Sequence, residues 1–218
     1  PRTEPRQYLK RSSGAVMPWQ SASRQKRSGK SPPPPVQFTL RMRSAARNAA
    51  RRAEQTIAAN AAGTVKAFPV AASDAHAMLP LYISTDNRGD NRLYASDEER
   101  PQVEVEARPL DALLRESKIE TVDLIKIDVQ GYEPKVIAGL RETIITSPNL
   151  TLLTEFWPQG MTEAGGDANE FLQTLRELGL TLHELQPDGS LAELTDDTDL
   201  IARHQGRRYT NLIGRKTA

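Results

Sequence analysis

Asp128, Gly131 and Glu133 stand together where the strongest strand pattern of the chain, Val122 to Val129, turns into an amphipathic segment. A carboxylate at such a strand end loses solvation unless a ligand or partner uses it. Within reach of a hydroxyl, it can orient that group or take its proton. Two further acids occupy comparable places: Asp74 follows the run ending at Ala72, and Glu155 lies near the end of the run from Leu150 to Phe156. Open parallel sheets bind ligands at the carboxyl ends of their strands, where loops meet helix N-termini, so Asp74, Asp128 and Glu155 should line one rim of a crevice. Glu133 has a plainer alternative as a helix cap or dipole partner. The polar loop Asp86 to Asn91 reads either as a substrate loop or as a hairpin turn. His76, His183 and His204 are too widely spaced for a metal or triad motif, and they read as ordinary surface or interface histidines. No metal site is expected. With no cysteine in the chain, a disulfide scaffold, a thiolate metal site and a cysteine nucleophile are excluded.

Strand and helix patterns alternate through the body of the chain. Val65 to Ala72, Leu79 to Ser84, Val103 to Ala107, Val122 to Val129, Leu150 to Phe156, Leu180 to Leu185 and Tyr209 to Ile213 read as strands. The Val122 run is β-branched and mostly apolar, as a buried parallel strand should be. Helices are expected from Ser44 to Ala62, Asp111 to Ser117, Pro134 to Thr143 and Phe171 to Leu178, the last ended by Gly179. Val36 to Leu40 alternates like a strand. The pattern argues an α/β fold with a mostly parallel sheet and an antiparallel edge made by the final pair.

The chain has 218 residues, of which 38% are hydrophobic and 26% charged, enough for one domain with a core. Its net charge of +1 conceals a division: residues 1–52 carry 13 Lys and Arg against the single acid Glu4, and the remainder carries 16 basic against 27 acidic residues. Seven prolines fall in the first 35 residues, a composition that cannot bury enough apolar surface to offset chain entropy. Residues 1–40 are therefore expected to be a basic, Pro/Ser-rich disordered segment, and residues 41–218 the folded domain. No run approaches the ~20 apolar residues of a membrane span, and no signal-peptide segment is visible. The chain reads as soluble and cytoplasmic, with no membrane partner.

The sequence Leu124-Ile125-Lys126-Ile127-Asp128-Val129-Gln130-Gly131-Tyr132-Glu133 resembles the signature of the FkbM family of S-adenosylmethionine-dependent methyltransferases. Five further segments resemble that family in the same order: Val70 to Asp74, Asp86 to Tyr94, Arg108 to Leu114, Thr154 to Pro158 and Asn211 to Arg215. Together they span about residues 48–215. The resemblance implies a Rossmann-like class I methyltransferase sheet. It also implies S-adenosyl-L-methionine as cofactor and methylation of a hydroxyl oxygen on a small-molecule or saccharide acceptor. It makes Asp128 and Glu133 the candidate catalytic carboxylates, with Ser73, Asp74 and Asp128 toward the cofactor and Asn87, Glu155 and Trp157 toward the acceptor. Gln130 stands where many relatives carry Glu.

The same resemblance calls for a first strand, a glycine-rich turn of the Asp-x-Gly-x-x-x-Gly kind and a second strand ending in a ribose-binding acid. Before Gly63 the only glycines are Gly14 and Gly29, and Arg41-Met42-Arg43 fills the slot of the acid. The sheet is thus expected to be incomplete at its N-terminal strands, and the N-terminal third foreign or truncated relative to the fold. Two other readings remain: a non-catalytic remnant of the fold, and a binding protein whose basic tail contacts nucleic acid or an acidic partner. No nucleic-acid motif is present, so nucleic acid is not the expected partner.

Overall fold

A computed structural model of the chain describes residues 37–39, 55, 58, 65–87, 89–96 and 99–216. The strands are β1 (Gln37–Thr39), β2 (Ala71–Ala72), β3 (Ala77–Tyr82), β4 (Gln102–Arg108), β5 (Leu124–Ile127), β6 (Thr151–Phe156), β7 (Leu180–Leu185), β8 (Leu191–Glu193) and β9 (Thr210–Lys216). The helices are α1 (Leu110–Glu116), α2 (Glu133–Ala138), α3 (Arg141–Thr146), α4 (Pro158–Glu163), α5 (Ala168–Glu177) and α6 (Asp197–Arg203). The architecture is mixed α/β, as the alternation of patterns requires.

Six strands form one sheet in the order β1-β5-β6-β9-β7-β8. β1, β5 and β6 run parallel, and β9 lies antiparallel between β6 and β7. Alternation on β6 buries Leu152, Thr154 and Phe156 completely. Phe156 stacks on Phe171 of α5, ring centroids 6.4 Å apart. Leu172 and Leu175, one turn apart on the same helix face, are also fully buried, which anchors α5 to the sheet. Asp167 caps that helix by accepting the Glu170 N–H at 2.9 Å.

The structure corrects several expectations. β2, β3 and β4 do not join the main sheet but form a second, three-stranded one in the order β2-β4-β3. The expected strand over Val65 to Ala72 is reduced to Ala71–Ala72, because Pro69 offers no N–H to a ladder. The alternating patch Val36 to Leu40 supplies β1, paired parallel to β5 with Phe38 opposite Ile125. A strand therefore does flank β5, where the family pattern read on sequence alone found no first strand. The helix expected over Pro134 to Thr143 is two helices, α2 and α3. At the break Gly139 passes so close to another segment that a Cβ would lie 2.1 Å from the Ser73 carbonyl oxygen. Asp111, remote in sequence, caps the second helix by accepting from the N–H groups of Glu142 (3.0 Å) and Thr143 (2.9 Å) and from the Thr143 hydroxyl (2.6 Å). β8, α4 and α6 have no counterpart among the expected elements. The closing antiparallel pair is present as β7 and β9, with β8 rather than β9 at the sheet edge. Of the expected helix from Ser44 to Ala62 only Gln55 and Ala58 are described, both helical, while the Arg41-Met42-Arg43 slot and the basic segment before Gln37 lie outside the described residues. Among the described residues no helix is long and apolar enough to cross a membrane.

Candidate active site

The end of β5 carries the chemistry because its two faces differ. Ile125, Ile127 and Val129 are buried on one face, which leaves Lys126 and Asp128 on the other. The β5–β6 register pairs Ile127 with Thr154. Continued by one residue, it sets Asp128 beside Glu155 on that same face. The chain then turns through two residues with left-handed backbone, Gln130 at φ 57 and Gly131 at φ 97. Glycine is required at the second position for a further reason: a Cβ on Gly131 would sit 2.4 Å from the carbonyl of Gly160 in α4.

This turn brings three carboxylates together. The Gln130 side-chain amide donates from Nε2 to Asp128 Oδ1 (3.1 Å) and to Glu155 Oε2 (3.0 Å), so one group ties two acids. Lys126 Nζ approaches the other Asp128 oxygen at 3.2 Å, and the Asp128 side chain remains 37% exposed. Burial and the neighbouring Asp128 charge push the Glu155 carboxyl up to about 7. Glu133 is 0% exposed. Its Oε1 accepts the Val129 N–H at 2.9 Å, and its Oε2 has no partner. Burial above all, with the Glu155 charge adding to it, pushes Glu133 up to about 8. Glu133 thus sits inside the turn, while Asp128 and Glu155 reach its surface.

The other expected residues fall around this centre at different removes. Ser73 is buried, donates its hydroxyl to Asp74 Oδ1 at 3.0 Å and lies 3.2 Å from the Tyr132 hydroxyl. Asp74 is exposed and paired with Lys135 of α2 at 3.0 Å. Burial acts to raise the Asp74 carboxyl, but the hydrogen bonds from Lys135 and Ser73 prevail and hold it below the ordinary range. Trp157 is buried and donates its indole N–H to the Gly206 carbonyl at 2.8 Å. Asn87 is exposed, and its side-chain oxygen accepts the Gly89 N–H of its own loop at 3.0 Å. It is not brought to the carboxylates.

Two residues that sequence reasoning did not single out connect that loop to the centre. Tyr94 donates its hydroxyl to the Gln130 carbonyl at 2.6 Å, which steadies the left-handed turn. Burial pushes its phenol above the ordinary value. Arg92 lies over the rings of both Tyr94 (5.7 Å) and Trp157 (5.0 Å), and pairs with Asp90 at 2.9 Å and Glu163 at 3.1 Å. Both sit in a segment already matched to the family, but nothing in their spacing showed that they reach Gln130 and Trp157. His76 is bonded to Glu106 and His204 to the Leu200 carbonyl. Among the described residues no group of three His, Asp or Glu could hold a metal ion. A cavity of about 320 Å³ lined by Arg176, Thr181 and Glu193 contains none of these carboxylates.

A family model described as the methyltransferase FkbM domain matches residues 33–182, a span that takes in β1 and every carboxylate of the centre. No curated protein matches the chain, and no solved structure does.

Proposed function

This chain belongs to the FkbM methyltransferase domain family, and from that premise we propose that it moves a methyl group from S-adenosylmethionine to a hydroxyl oxygen of a sugar or natural product. The observation that carries this reading is the pair Asp128 and Glu155, held side by side at the carboxyl ends of adjacent parallel strands by the Gln130 amide. When bound, S-adenosylmethionine supplies an electrophilic methyl on a cationic sulfur.

The donor set suits such a cation. Three carboxylates gather at the ends of β5 and β6, two of them pushed toward neutrality, and one buried oxygen, Glu133 Oε2, has no partner. A nearby positive charge would favour the ionised forms of Glu133 and Glu155. Asp128 and Ser73-Asp74 are the residues assigned to the cofactor side. The family's glycine-rich turn has no counterpart in the sequence before Gly63, and the ribose hydroxyls are assigned to no residue.

Glu155 is the group that receives the proton of the acceptor hydroxyl. Its affinity for a proton, matched to a pH near 7, suits a general base, which must be ionised to accept yet basic enough to do so. Gln130 positions it. Glu133, enclosed and bonded to the Val129 N–H, shapes the turn rather than touching the acceptor. Trp157 and Arg92 wall the acceptor side and keep water from it. Asn87, also assigned to that side on sequence, would reach the acceptor only from the exposed loop.

Calorimetric titration of S-adenosylmethionine into the full chain tests the reading. Binding in the wild type, weakened about tenfold by Asp128→Asn, a loss of ~1.4 kcal/mol, is expected. Absence of binding by the full chain would overturn it.

A further inference from the structure

Gln130 combines a strained backbone with a side chain that glycine could not replace. Its backbone is left-handed, at φ 57, a region that a residue with a Cβ enters only against a steric cost. Its amide nitrogen donates to Asp128 Oδ1 at 3.1 Å and to Glu155 Oε2 at 3.0 Å. A primary amide carries two N–H groups on one nitrogen, at a fixed angle to each other. It can therefore reach two acids at once only from a narrow range of orientations, and the backbone beneath it must supply them.

A group that holds this backbone comes from a distant part of the chain. Tyr94, 36 residues away in sequence, donates its hydroxyl to the Gln130 carbonyl at 2.6 Å. Tyr94 is itself firmly placed. Two residues before it, Arg92 is joined to Tyr82 at the end of β3 by a pair of backbone hydrogen bonds, 2.8 and 3.1 Å long. The Tyr94 ring is buried and lies 5.7 Å from the Arg92 guanidinium, which Asp90 and Glu163 clamp in turn. Burial keeps the phenol protonated, so the hydroxyl remains a donor across the pH range in which a carboxyl titrates. Through this hydrogen bond the end of the small sheet bears on the turn at the end of β5.

Resting on the methyltransferase reading above, we propose that Tyr94 is a positioning residue for the proton acceptor: its hydroxyl holds Gln130 in the left-handed conformation from which the amide reaches Asp128 and Glu155 together. The Tyr94 hydrogen bond goes to the main chain of Gln130 and not to either acid, so its influence on Glu155 is exerted at second hand. The Asp128 charge raises the Glu155 carboxyl, and the Gln130 amide, by donating to the ionised form, lowers it. The amide thus offsets the repulsion between the two carboxylates that it joins. Without the hydroxyl, Gln130 can relax toward the right-handed region and its amide swings away. Glu155 then holds its proton more tightly and is less ionised at a given pH.

The experiment is a pH titration of the Glu155 carboxyl in the full chain, followed by NMR with carboxyl-labelled glutamate, its signal identified by its loss in Glu155→Gln. Tyr94→Phe keeps the ring beside Arg92 and removes only the hydroxyl. It should raise the midpoint from about 7 by about half a pH unit or more, ~3-fold in proton affinity. Gln130→Gly accepts the left-handed backbone but has no amide, and it should raise the midpoint at least as far. Added to Gln130→Gly, Tyr94→Phe should change nothing further, because the path from hydroxyl to acid is already cut. A general loosening of the site would instead move the midpoint in both backgrounds. An unmoved midpoint in either single variant, an equal shift on adding Tyr94→Phe to Gln130→Gly, or loss of folding in Tyr94→Phe would overturn the inference. Calorimetric titration of S-adenosylmethionine into the wild type separates the two claims. Cofactor binding with an unmoved midpoint removes this inference only, whereas no cofactor binding removes the methyltransferase reading beneath it, whatever the midpoint does.

Discussion

Two polar loops of similar composition, residues 128–133 and residues 84–92, meet opposite fates. In the second, every polar group singled out is satisfied close by: Asn91 accepts the Ser84 N–H at 2.9 Å, Asn87 the Gly89 N–H at 3.0 Å, and Ser84 the Asn87 N–H at 3.1 Å. Its Asp90 is gripped by Arg92 and Arg100. Burial acts to raise that carboxyl, but the two guanidiniums prevail and lower it. In the first loop Glu133 has no cationic partner among the described residues and burial raises it, as burial also raises Glu155 on the neighbouring strand end. An acid with a lowered affinity for protons is a structural strut; one with a raised affinity is available for proton chemistry. Residue type alone does not separate them. Their neighbours do.

The largest effect is expected from Gly131→Ala. A side chain there meets both a φ of 97 and a backbone contact of 2.4 Å, so the turn must open and the acids disperse. The cost should be on the order of 4 kcal/mol or more, read as a collapse of the thermal transition. A stable, active Gly131→Ala protein would break the distinction between a strained loop and a satisfied one. Glu155→Gln should follow, lowering kcat by about 10²–10⁴ with the fold unharmed, since the change removes a half-buried acid that burial already disfavours as an ion. Retention of kcat within threefold would remove Glu155 as the base.

Next comes Glu133→Gln, read through stability against pH. Burial raises the folded-state affinity of Glu133 to about 8, from an ordinary 4.5. The folded state therefore holds the proton more tightly than the unfolded chain. Its contribution to stability is full below about 4.5 and is lost as pH rises to about 8. The variant, neutral throughout, should flatten that decline and exceed the wild type by ~2 kcal/mol or more at pH 9, relative to their difference at pH 4. Parallel curves would show that Glu133 is not enclosed. Asp128→Asn should act more gently on activity. The acid limb of kcat, set by Glu155 near 7, should move down by about one pH unit once the adjacent charge is gone. An unchanged midpoint would mean that Asp128 and Glu155 do not sense one another.

How much of this was legible in the sequence follows the range of the forces involved. β5 and β6 could be read because an apolar β-branched run has few other uses, and Asp128, Gly131 and Glu133 could be read because they punctuate it. Even the meeting of Asp128 with Glu155 follows from strand ends and parallel pairing. The left-handed Gln130, the Tyr94 hydroxyl on its carbonyl and the Asp111 cap on α3 could not be read. Each depends on a contact between segments 30 or more residues apart. α4 escaped because it is short and Gly160 weakens its propensity; it is held where Gly131 and Trp157 pack against it. The separation of β2, β3 and β4 into their own sheet was hidden for the same reason: strand patterns name faces, not partners.

The smallest effect is expected at the satisfied loop, and it sets the scale for the rest. Asn87→Ala removes one exposed hydrogen bond, from the Gly89 N–H, whose donor can turn to water instead. Such a bond contributes about 0.5–1 kcal/mol, so the melting temperature should fall by only a few degrees. The pH midpoint of kcat should stay where Glu155 puts it, because Asn87 touches none of the three carboxylates. A fall in stability comparable to that of Gly131→Ala would mean that the loop stores as much structure as the strained turn. A displaced pH midpoint would mean that the exposed loop reaches the carboxylates during turnover. Either result would erase the contrast between the two loops from the side on which it should be easiest to defend.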